Sequence, residues 1–408
     1  MAHTSTVAIP KVSIDPSDSS FVQDPAAAYE RFHAIGQPFY WDAYGHVCFA
    51  SFDAVSNLLR DKRFGREMPA HLKTEPPEHL APFYDFESRS MLELEPPAHS
   101  RLRRLVNRAF VSRQIAALEP WLIELSNTLL DDIARHEKSF DLLPAYAEPI
   151  PVLAIARLLG VPGADADRLL AWSHAMVAMY QFGRSRAVED AAVTATQDFS
   201  AYIRDIAAAR RAEPQEDLIS MLAHTVNAED GATLSEDELV TTAILLLNAG
   251  HEATVHAISN GTKALLENGT NAHKLNAGSD AICEELLRFE APLHMFTRYA
   301  LEPCEAYGVK LETGDTIGLL LGAANTDPTR FHEPRHFHPE RTDAAHVSFG
   351  GGIHFCIGAP LARMELKIAL PALFNRFPNL EFAEQPIYAN RYHFHGLEHL
   401  MLRHNEGA

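Results

Sequence analysis

The chain has 408 residues, and its hydrophobic content of 47% is enough for a sizeable folded core. The formal net charge of −19 argues against nucleic acid and against an anionic membrane surface as partners. Apolar runs long enough to span a membrane are absent and residues 1–21 lack the pattern of a signal peptide, so neither a membrane anchor nor secretion is predicted. The cysteines contain no C-x-x-C pair, which argues against disulfides and zinc and favours a cytoplasmic location; they are Cys48, Cys283, Cys304 and Cys356.

Helices dominate the predicted elements along the chain. Apolar residues recur at helical spacing over residues 120–133, 151–159, 165–179 and 188–211. Ser235 and Glu238 have the spacing of a capping box, and the residues that follow predict one very long helix over 239–266. Further helices are predicted at 280–289 and, with a kink at Pro371, at 359–377. Short strands are predicted at 38–40, 46–50, 297–300 and 316–321.

Cys356 lies where a glycine-rich loop, residues 349–358, meets the start of the helix predicted at 359–377. The partial positive charge of a helix N-terminus lowers the pKa of a thiol and favours the thiolate. Glycines leave backbone N–H groups free to donate to the sulfur and allow a flat group to lie close to the chain. A thiolate held in this way suits the proximal face of a haem iron, where it favours O–O cleavage. A glycine-rich turn around a buried cysteine is the structural alternative.

This loop resembles the haem-binding signature of the cytochrome P-450 superfamily at its fixed positions, which are Phe349, Gly352, His354, Cys356 and Gly358. The resemblance extends from about residue 25 to the C-terminus. It implies a mainly α fold with small β-sheets (α+β), as one large domain spanning residues 1–408 with an irregular N-terminal segment over 1–24. It also implies haem b between a long distal helix and the proximal loop, with Cys356 as the axial ligand of the iron and Phe349, His354 and Gly358 in contact with the haem.

Residues 248–254 place small, acidic and hydroxyl side chains inside the long apolar helix, where a glycine costs roughly 1 kcal/mol relative to alanine. This segment resembles the family's oxygen-activation motif. The resemblance implies that Ala249 and Gly250 make room for dioxygen and that Glu252 is the acid of a proton relay from solvent. Ala253 stands where the family has a threonine, and Thr254 fills only the second hydroxyl position. An ordered water, Thr254 after a helix shift, or a hydroxyl of the substrate would then complete the relay.

Glu285 and Arg288 form a Glu-x-x-Arg pair on the helix predicted at 280–289, which alone is a weak signal. Together with Arg341 they resemble the family's buried triad on the proximal side of the haem. The resemblance implies a role in folding and haem incorporation, not in catalysis.

Four basic residues stand where the family contacts the haem propionates. Arginine suits a carboxylate because its planar fork donates two hydrogen bonds. The four residues are His99, Arg103, Arg298 and His354.

The substrate pocket is expected from segments 66–92 and 176–186 and from Leu245, Asn248, Ala249, Leu293, His294 and Phe394. Asn248 and His294 are its polar members. Each either satisfies a backbone group or water, or orients a polar atom of a mostly apolar substrate. A terpenoid, another polycyclic molecule or an aromatic acid would fit.

These features predict a haem-thiolate monooxygenase that inserts one atom of O2 into a small organic substrate, with electrons from NAD(P)H through a separate ferredoxin and reductase. Five arginines and no acid occur over residues 101–113, which form either a solvated helix face or the dock for an acidic ferredoxin: Arg101, Arg103, Arg104, Arg108 and Arg113. One alternative is an enzyme of the same fold without net oxygen insertion, such as a peroxygenase, isomerase or dehydratase, which Ala253 favours and Glu252 opposes. The other is a non-enzymatic haem protein that binds a small ligand.

Overall fold

The computed structural model describes residues 9–109, 112–136, 138–226, 231–342 and 345–404, without the side chains of residues 112, 113 and 136. The α-helices of these ranges are α1 (Ser19–Gln23), α2 (Pro25–Ile35), α3 (Phe52–Leu58), α4 (Ala81–Glu87), α5 (Ala98–Ala109), α6 (Ser112–His136), α7 (Pro149–Leu159), α8 (Ala166–Val177), α9 (Arg186–Ala212), α10 (Leu218–His224), α11 (Glu236–Glu267), α12 (Ala272–Phe289), α13 (Leu321–Ala324) and α14 (Ala359–Arg376). The strands are β1 (Lys11–Val12), β2 (Phe39–Trp41), β3 (His46–Phe49), β4 (Phe64–Gly65), β5 (Ser139–Asp141), β6 (Met295–Ala300), β7 (Cys304–Ala306), β8 (Val309–Leu311), β9 (Thr316–Leu320), β10 (Leu380–Phe382), β11 (Ile387–Tyr388), β12 (Leu397–His399) and β13 (Met401–His404).

The described chain folds into two compact units, and the first contains the residues up to Thr74, Glu284–Phe355 and Tyr388–His395. Its main sheet has six strands in the order β1-β2-β3-β9-β6-β4. β9 is parallel to β3 and antiparallel to β6, with Met295 opposite Leu320. The apolar and aromatic residues of these strands suit a half-buried pleated surface. They form a core with α3 and α13 that includes Val55 and Leu319.

The second unit contains Glu75–Cys283, Cys356–Ile387 and the residues from Gly396 onward. Its central helix is α11, which packs against α7, α9 and α14. The Ser235 hydroxyl accepts from the Glu238 N–H at 3.2 Å, and the Glu238 carboxylate accepts from the Ser235 N–H at 2.8 Å, so the predicted capping box is confirmed. A three-stranded sheet in the order β10-β13-β5 belongs to the same unit.

Most of the predicted elements are present. The helices predicted over 120–133, 151–159, 165–179, 188–211, 239–266 and 359–377 correspond to α6, α7, α8, α9, α11 and α14, and the four predicted strands to β2, β3, β6 and β9. α12 is interrupted at Gly278, whose backbone is non-helical (φ −137°, ψ 31°), and the helix predicted over 280–289 corresponds to the part after this break. Pro371 lies inside α14. The segment 1–24, expected to be irregular, contains β1 and α1, and residues 1–8 lie outside the described residues. None of the described helices has both the length and the apolarity needed to cross a bilayer.

Candidate active site

Cys356 lies just before α14, whose N-cap residue is Gly358. The backbone N–H groups of Gly358 and Ala359 donate hydrogen bonds to its sulfur, and the guanidinium groups of Arg103 and Arg363 add positive charge. The surroundings are therefore electropositive, as predicted. The predicted lowering of the thiol pKa is wrong, however, because burial raises the pKa of the Cys356 thiol more than these four groups lower it.

The donor set around this sulfur fits a haem iron. A bound metal ion removes the proton from a coordinating thiol, and N–H donors and guanidinium groups then stabilise the resulting thiolate. Two such donors and two such cations surround Cys356. The sequence analysis missed Arg363, although this residue follows Cys356 closely in α14.

The glycines before Cys356 are required by the backbone itself. Gly350 and Gly352 have φ values of +69° and +66°, a region that residues with a Cβ rarely adopt. A Cβ on Gly352 would also lie 2.5 Å from the carbonyl oxygen of Leu59. Close approach of a flat group, one of the two reasons predicted for the glycines of this loop, is therefore not needed to explain Gly350 and Gly352. Phe349 of the same loop packs beside Phe355, with their ring centroids 6.2 Å apart.

One face of α11 is accessible in the middle of an otherwise buried helix. The residues on this face follow the spacing of adjacent helical turns, and they are Leu245, Asn248, Ala249 and Ala253. Gly250 faces α7 instead, where a Cβ would lie 3.5 Å from Ile155, an ordinary contact distance. Packing against α7 thus does not demand the glycine. The accessible face unites three predicted pocket residues, Leu245, Asn248 and Ala249, with Ala253 of the predicted oxygen-activation segment.

Asn248 is the polar side chain on this face. Its Nδ2 donates to the sulfur of Met176 at 3.6 Å. Its Oδ1 is shielded from solvent and has no hydrogen-bond partner among the described residues. A buried oxygen without a partner is costly, so a water or a polar atom of a bound molecule is expected to donate a hydrogen bond to it.

Glu252 is buried and surrounded by three imidazoles. Its Oε2 lies 3.3 Å from His174 Nε2 and 3.4 Å from His251 Nε2, and its Oε1 lies 3.6 Å from His256 Nε2. Burial alone would raise the pKa of the Glu252 carboxyl, but its contacts with these imidazoles outweigh burial and hold the pKa well below its usual range. These histidines were not predicted as site residues. His251 and His256 were visible as helical neighbours of Glu252, whereas His174 comes from α8.

Thr254 is buried, and its hydroxyl donates to the Gly250 carbonyl at 3.4 Å. It also interacts with Glu365 of α14, a buried residue that the sequence analysis missed. Neither carboxyl oxygen of Glu365 meets hydrogen-bond geometry with a described residue, so this interaction is loose. Burial raises the pKa of Glu365 to about 8, which outweighs the opposing effect of Thr254. Glu365 therefore holds a proton at neutral pH beside the second hydroxyl position.

The four predicted propionate contacts are divided between the two units. His99 and Arg103 lie four residues apart on α5 and so share a helix face; His99 is buried and Arg103 half-buried. Arg298, on β6, is buried and donates to the Thr297 carbonyl at 2.8 Å. His354 is half-buried in the short turn Gly352–His354. Their shared role toward a haem remains a prediction.

Glu285, Arg288 and Arg341 do form a buried cluster in the first unit. Arg288 donates from Nε and Nη2 to the two carboxylate oxygens of Glu285, both at 2.7 Å. Arg341 Nε lies 3.3 Å from Glu285 Oε2. The side chains are at most 5% exposed. Arg288 Nη1 also donates to the carbonyls of Asn325 and Pro334 at 2.8 and 2.9 Å, so the cluster ties separate loops together.

The predicted pocket residues of the first unit behave differently from Asn248. Leu293 and Phe394 face each other in an isolated antiparallel bridge. His294 is buried, its Nδ1 lies 2.6 Å from the Tyr29 hydroxyl, and its ring also bonds to the Ala291 backbone. Burial lowers the pKa of His294 well below its usual range, so the ring is neutral. The structure thus favours the alternative in which protein groups satisfy His294.

The predicted docking arginines are only partly exposed. Arg101 pairs with Glu238 and donates to a backbone carbonyl, and Arg103 is half-buried near Cys356. Arg104 and Arg108 are exposed on α5. Residues 110 and 111 lie outside the described residues, as does the side chain of Arg113. Of the four predicted docking arginines whose side chains are described, two are therefore exposed.

Comparison with known proteins adds independent information. The family described as Cytochrome P450 matches residues 279–390. The polyketide biosynthesis cytochrome P450 PksS of Bacillus subtilis (strain 168) is 34% identical over 388 residues, which cover 92% of this chain and 94% of that protein. The 6-deoxyerythronolide B hydroxylase of Saccharopolyspora erythraea is 35% identical over 343 residues, which cover 83% of this chain and 82% of that protein. The crystal structure of P450BioI in complex with hexadec-9Z-enoic acid ligated acyl carrier protein matches with a TM-score of 0.88 and 31% identity, over 95% of this chain and 100% of that chain.

Proposed function

The chain belongs to the cytochrome P450 family, and we propose that it uses O2 to hydroxylate or otherwise oxidise a small, mostly apolar organic substrate. As a family member it is a monooxygenase with haem b as its cofactor and a cysteine thiolate as the axial ligand. We assign that ligand to Cys356. The observation that carries this assignment is the pair of backbone N–H groups, from Gly358 and Ala359, that donate to its sulfur at the start of α14.

When bound, the haem supplies oxygen activation, while the protein supplies the ligand, the proton path and the pocket. Two electrons from NAD(P)H are needed for each substrate oxidised. We propose that they arrive through a separate ferredoxin and reductase, and that Arg104 and Arg108 contribute to the docking surface for an acidic ferredoxin. The cytoplasmic location predicted from the cysteines is part of the same proposal.

The proton path is proposed to begin at His174. This side chain is 48% exposed and contacts Glu252, which is buried, so the pair connects solvent with the interior of α11. Glu365 is a second proton source, because it contacts Thr254 and is protonated at neutral pH. Neither group supplies the hydroxyl that Ala253 lacks. A water or a substrate hydroxyl therefore has to stand at that position.

The accessible face of α11 guides the choice of substrate. It is apolar except for Asn248, whose Oδ1 accepts no hydrogen bond from the described residues. A mostly apolar molecule with at least one hydroxyl could donate a hydrogen bond to Asn248 Oδ1 and also replace the hydroxyl that Ala253 lacks. The names of two relatives refer to polyketide biosynthesis and to hydroxylation of 6-deoxyerythronolide B. We therefore propose a hydroxylated polyketide or macrolide as the substrate class, ahead of a terpenoid or an aromatic acid.

The ligand assignment is tested by spectroscopy of the reduced, CO-bound protein. The wild-type band should lie at the wavelength that gives the superfamily its name. Cys356→His should move it to the position of imidazole-ligated haem proteins, whereas the control Cys304→Ser, at another partly buried cysteine, should leave it unchanged. A band that stays in place in Cys356→His contradicts the assignment.

Ala253 also supports a second candidate, an enzyme of this family without net oxygen insertion. Labelled dioxygen separates the two. With a ferredoxin, a reductase and NADPH, the proposed monooxygenase should place one labelled atom in the product for each NADPH used productively. Product formation without label, or without NADPH, would favour the second candidate.

A further inference from the structure

A second group of potential metal ligands involves α8 and α11. His174, His251 and Glu252 each present one ligand atom, and these three atoms lie within 4.8 Å of one another. Imidazole nitrogens with a carboxylate oxygen are a donor set that suits zinc and similar transition metals. Within the described ranges this is the one cluster of such residues with this spacing.

Two of the three separations between the ligand atoms match those around a tetrahedral ion. Ligands about 2.0–2.1 Å from a zinc ion at the centre of a tetrahedron lie about 3.3–3.4 Å from one another. Glu252 Oε2 lies 3.3 Å from His174 Nε2 and 3.4 Å from His251 Nε2. Charge-assisted hydrogen bonds between such groups are shorter, about 2.7–2.9 Å. The atoms are therefore spaced as ligands of a shared ion rather than as tight hydrogen-bond partners.

His251 also has the ring orientation of a metal ligand. Its Nδ1 lies 3.0 Å from the Leu247 carbonyl oxygen, which only accepts hydrogen bonds, so Nδ1 carries the proton. Its Nε2 is buried and lies 3.4 Å from Glu252 Oε2, without meeting hydrogen-bond geometry with a described residue. Because Nδ1 is turned toward Leu247, Nε2 is the ring nitrogen that faces Glu252 Oε2, and an ion between these two atoms would bind both. Metal-ligating histidines commonly donate their other N–H to a carbonyl in the same way.

The surroundings allow an ion to enter and to be held. His174 is 48% exposed, so one ligand is open to solvent, while the other two are buried. His256 Nε2 lies 3.6 Å from the other carboxylate oxygen, Oε1, which leaves Oε2 for the ion. Glu148 interacts electrostatically with His174, His251 and Glu252 and adds negative charge that attracts a cation.

We propose that His174, His251 and Glu252 bind one divalent transition-metal ion, with Zn²⁺ as the representative, and that a water completes the tetrahedron. The ion links α8 to α11. Its effect on activity rests on the proposed function, since an ion on Glu252 Oε2 takes this carboxylate out of the proton path. Zinc should then inhibit turnover over the same concentration range in which it fills the site.

The test measures zinc binding to chelator-treated, haem-loaded protein by equilibrium dialysis and calorimetry. Wild-type protein should bind one equivalent of zinc. The zinc affinity of His174→Gln should be at least about tenfold lower. His174 is exposed, so this variant should keep its fold, which circular dichroism checks. The control is His336→Gln, because His336 also stands near a carboxylate, with its Nδ1 3.9 Å from Glu333, but is exposed. This control should bind one equivalent of zinc as tightly as the wild type does.

X-ray absorption at the zinc edge tests the ligands directly. The proposal expects nitrogen and oxygen neighbours at about 2.0–2.1 Å with the outer-shell pattern of imidazole. Sulfur neighbours at about 2.3 Å, or equal zinc binding by wild type and His174→Gln, would overturn it, because the zinc would then be bound elsewhere in the protein. If the site fills and turnover is unchanged, the metal site stands and the proton path through Glu252 fails.

Discussion

Replacement of Arg288 by alanine should destabilise the protein severely. The substitution removes two 2.7 Å hydrogen bonds to Glu285 and two further bonds to the Asn325 and Pro334 carbonyls. Glu285 would remain buried, with Arg341 as its remaining cationic partner at 3.3 Å. Breaking a buried ion pair in this way costs about 3–5 kcal/mol. Because folded domains are stable by only about 5–15 kcal/mol, the loss should also reduce the yield of haem-loaded protein.

The chain offers a matched control for this substitution. Arg403 pairs with Glu381 at 3.0 Å, but the two side chains are 54% and 50% exposed. Arg403→Ala should therefore change the free energy of unfolding by no more than about 1 kcal/mol. Urea unfolding followed by circular dichroism, together with haem content per protein, measures both variants. If Arg288→Ala loses no more stability than Arg403→Ala, burial is not what makes the Glu285 cluster important and the reasoning is wrong.

Three further predictions concern other side chains. The pKa of Glu365 is raised from 4.5 to about 8, so the folded chain binds the carboxyl proton of Glu365 more tightly than the unfolded chain does. The free energy of unfolding should therefore fall as the pH rises from about 4.5 to about 8. At about 1.4 kcal/mol per pKa unit, the full loss is up to about 5 kcal/mol. The urea midpoint of the wild type should fall between about pH 6 and about pH 9, and Glu365→Gln should remove this fall. If the variant keeps the pH dependence, the buried carboxyl of Glu365 is not its source. Glu252→Gln should slow oxygen-dependent turnover by about 10²–10⁴-fold, and undiminished turnover would show that Glu252 is not part of the relay. Ala253→Thr should raise the product formed per NADPH consumed with substrates that lack a hydroxyl. Arg104→Glu and Arg108→Glu should slow reduction by an acidic ferredoxin, and added salt should slow reduction of the wild type; rates insensitive to both reject the docking surface.

The features predicted correctly depend on short-range spacing. The capping box at Ser235 requires only a residue three positions later, and the position of Cys356 before α14 follows from the glycines and the helix that flank it. Glu285 and Arg288 are one helical turn apart, and resemblance supplied the third partner, Arg341. Such patterns are visible in the sequence because the residues that form the local structure are also the ones that carry the chemistry.

The missed features depend on contacts between distant segments. Nothing near His174 in the sequence points to Glu252, and nothing near Glu365 points to Thr254. The pKa of the Cys356 thiol was predicted with the wrong sign because the helix terminus is visible in sequence whereas burial is not. The spacing of the cysteines disfavours zinc, but a zinc site can also be built from histidines, and those of α8 and α11 are brought together only by folding.

The contacts of Thr254 bear on how the relay is completed without a hydroxyl at Ala253. The Thr254 hydroxyl donates to the Gly250 carbonyl and contacts Glu365 only loosely, so a helix shift that used Thr254 would have to break its bond to Gly250. Ala253 instead lies on the accessible face of α11 together with Asn248, whose Oδ1 has no hydrogen-bond partner among the described residues. A substrate hydroxyl on this face can donate to Asn248 and also stand where the threonine hydroxyl is missing. Of the three ways to complete the relay, the contacts within α11 therefore favour the substrate hydroxyl over Thr254. On such a substrate Ala253→Thr should lower activity, because the added side chain displaces the donor.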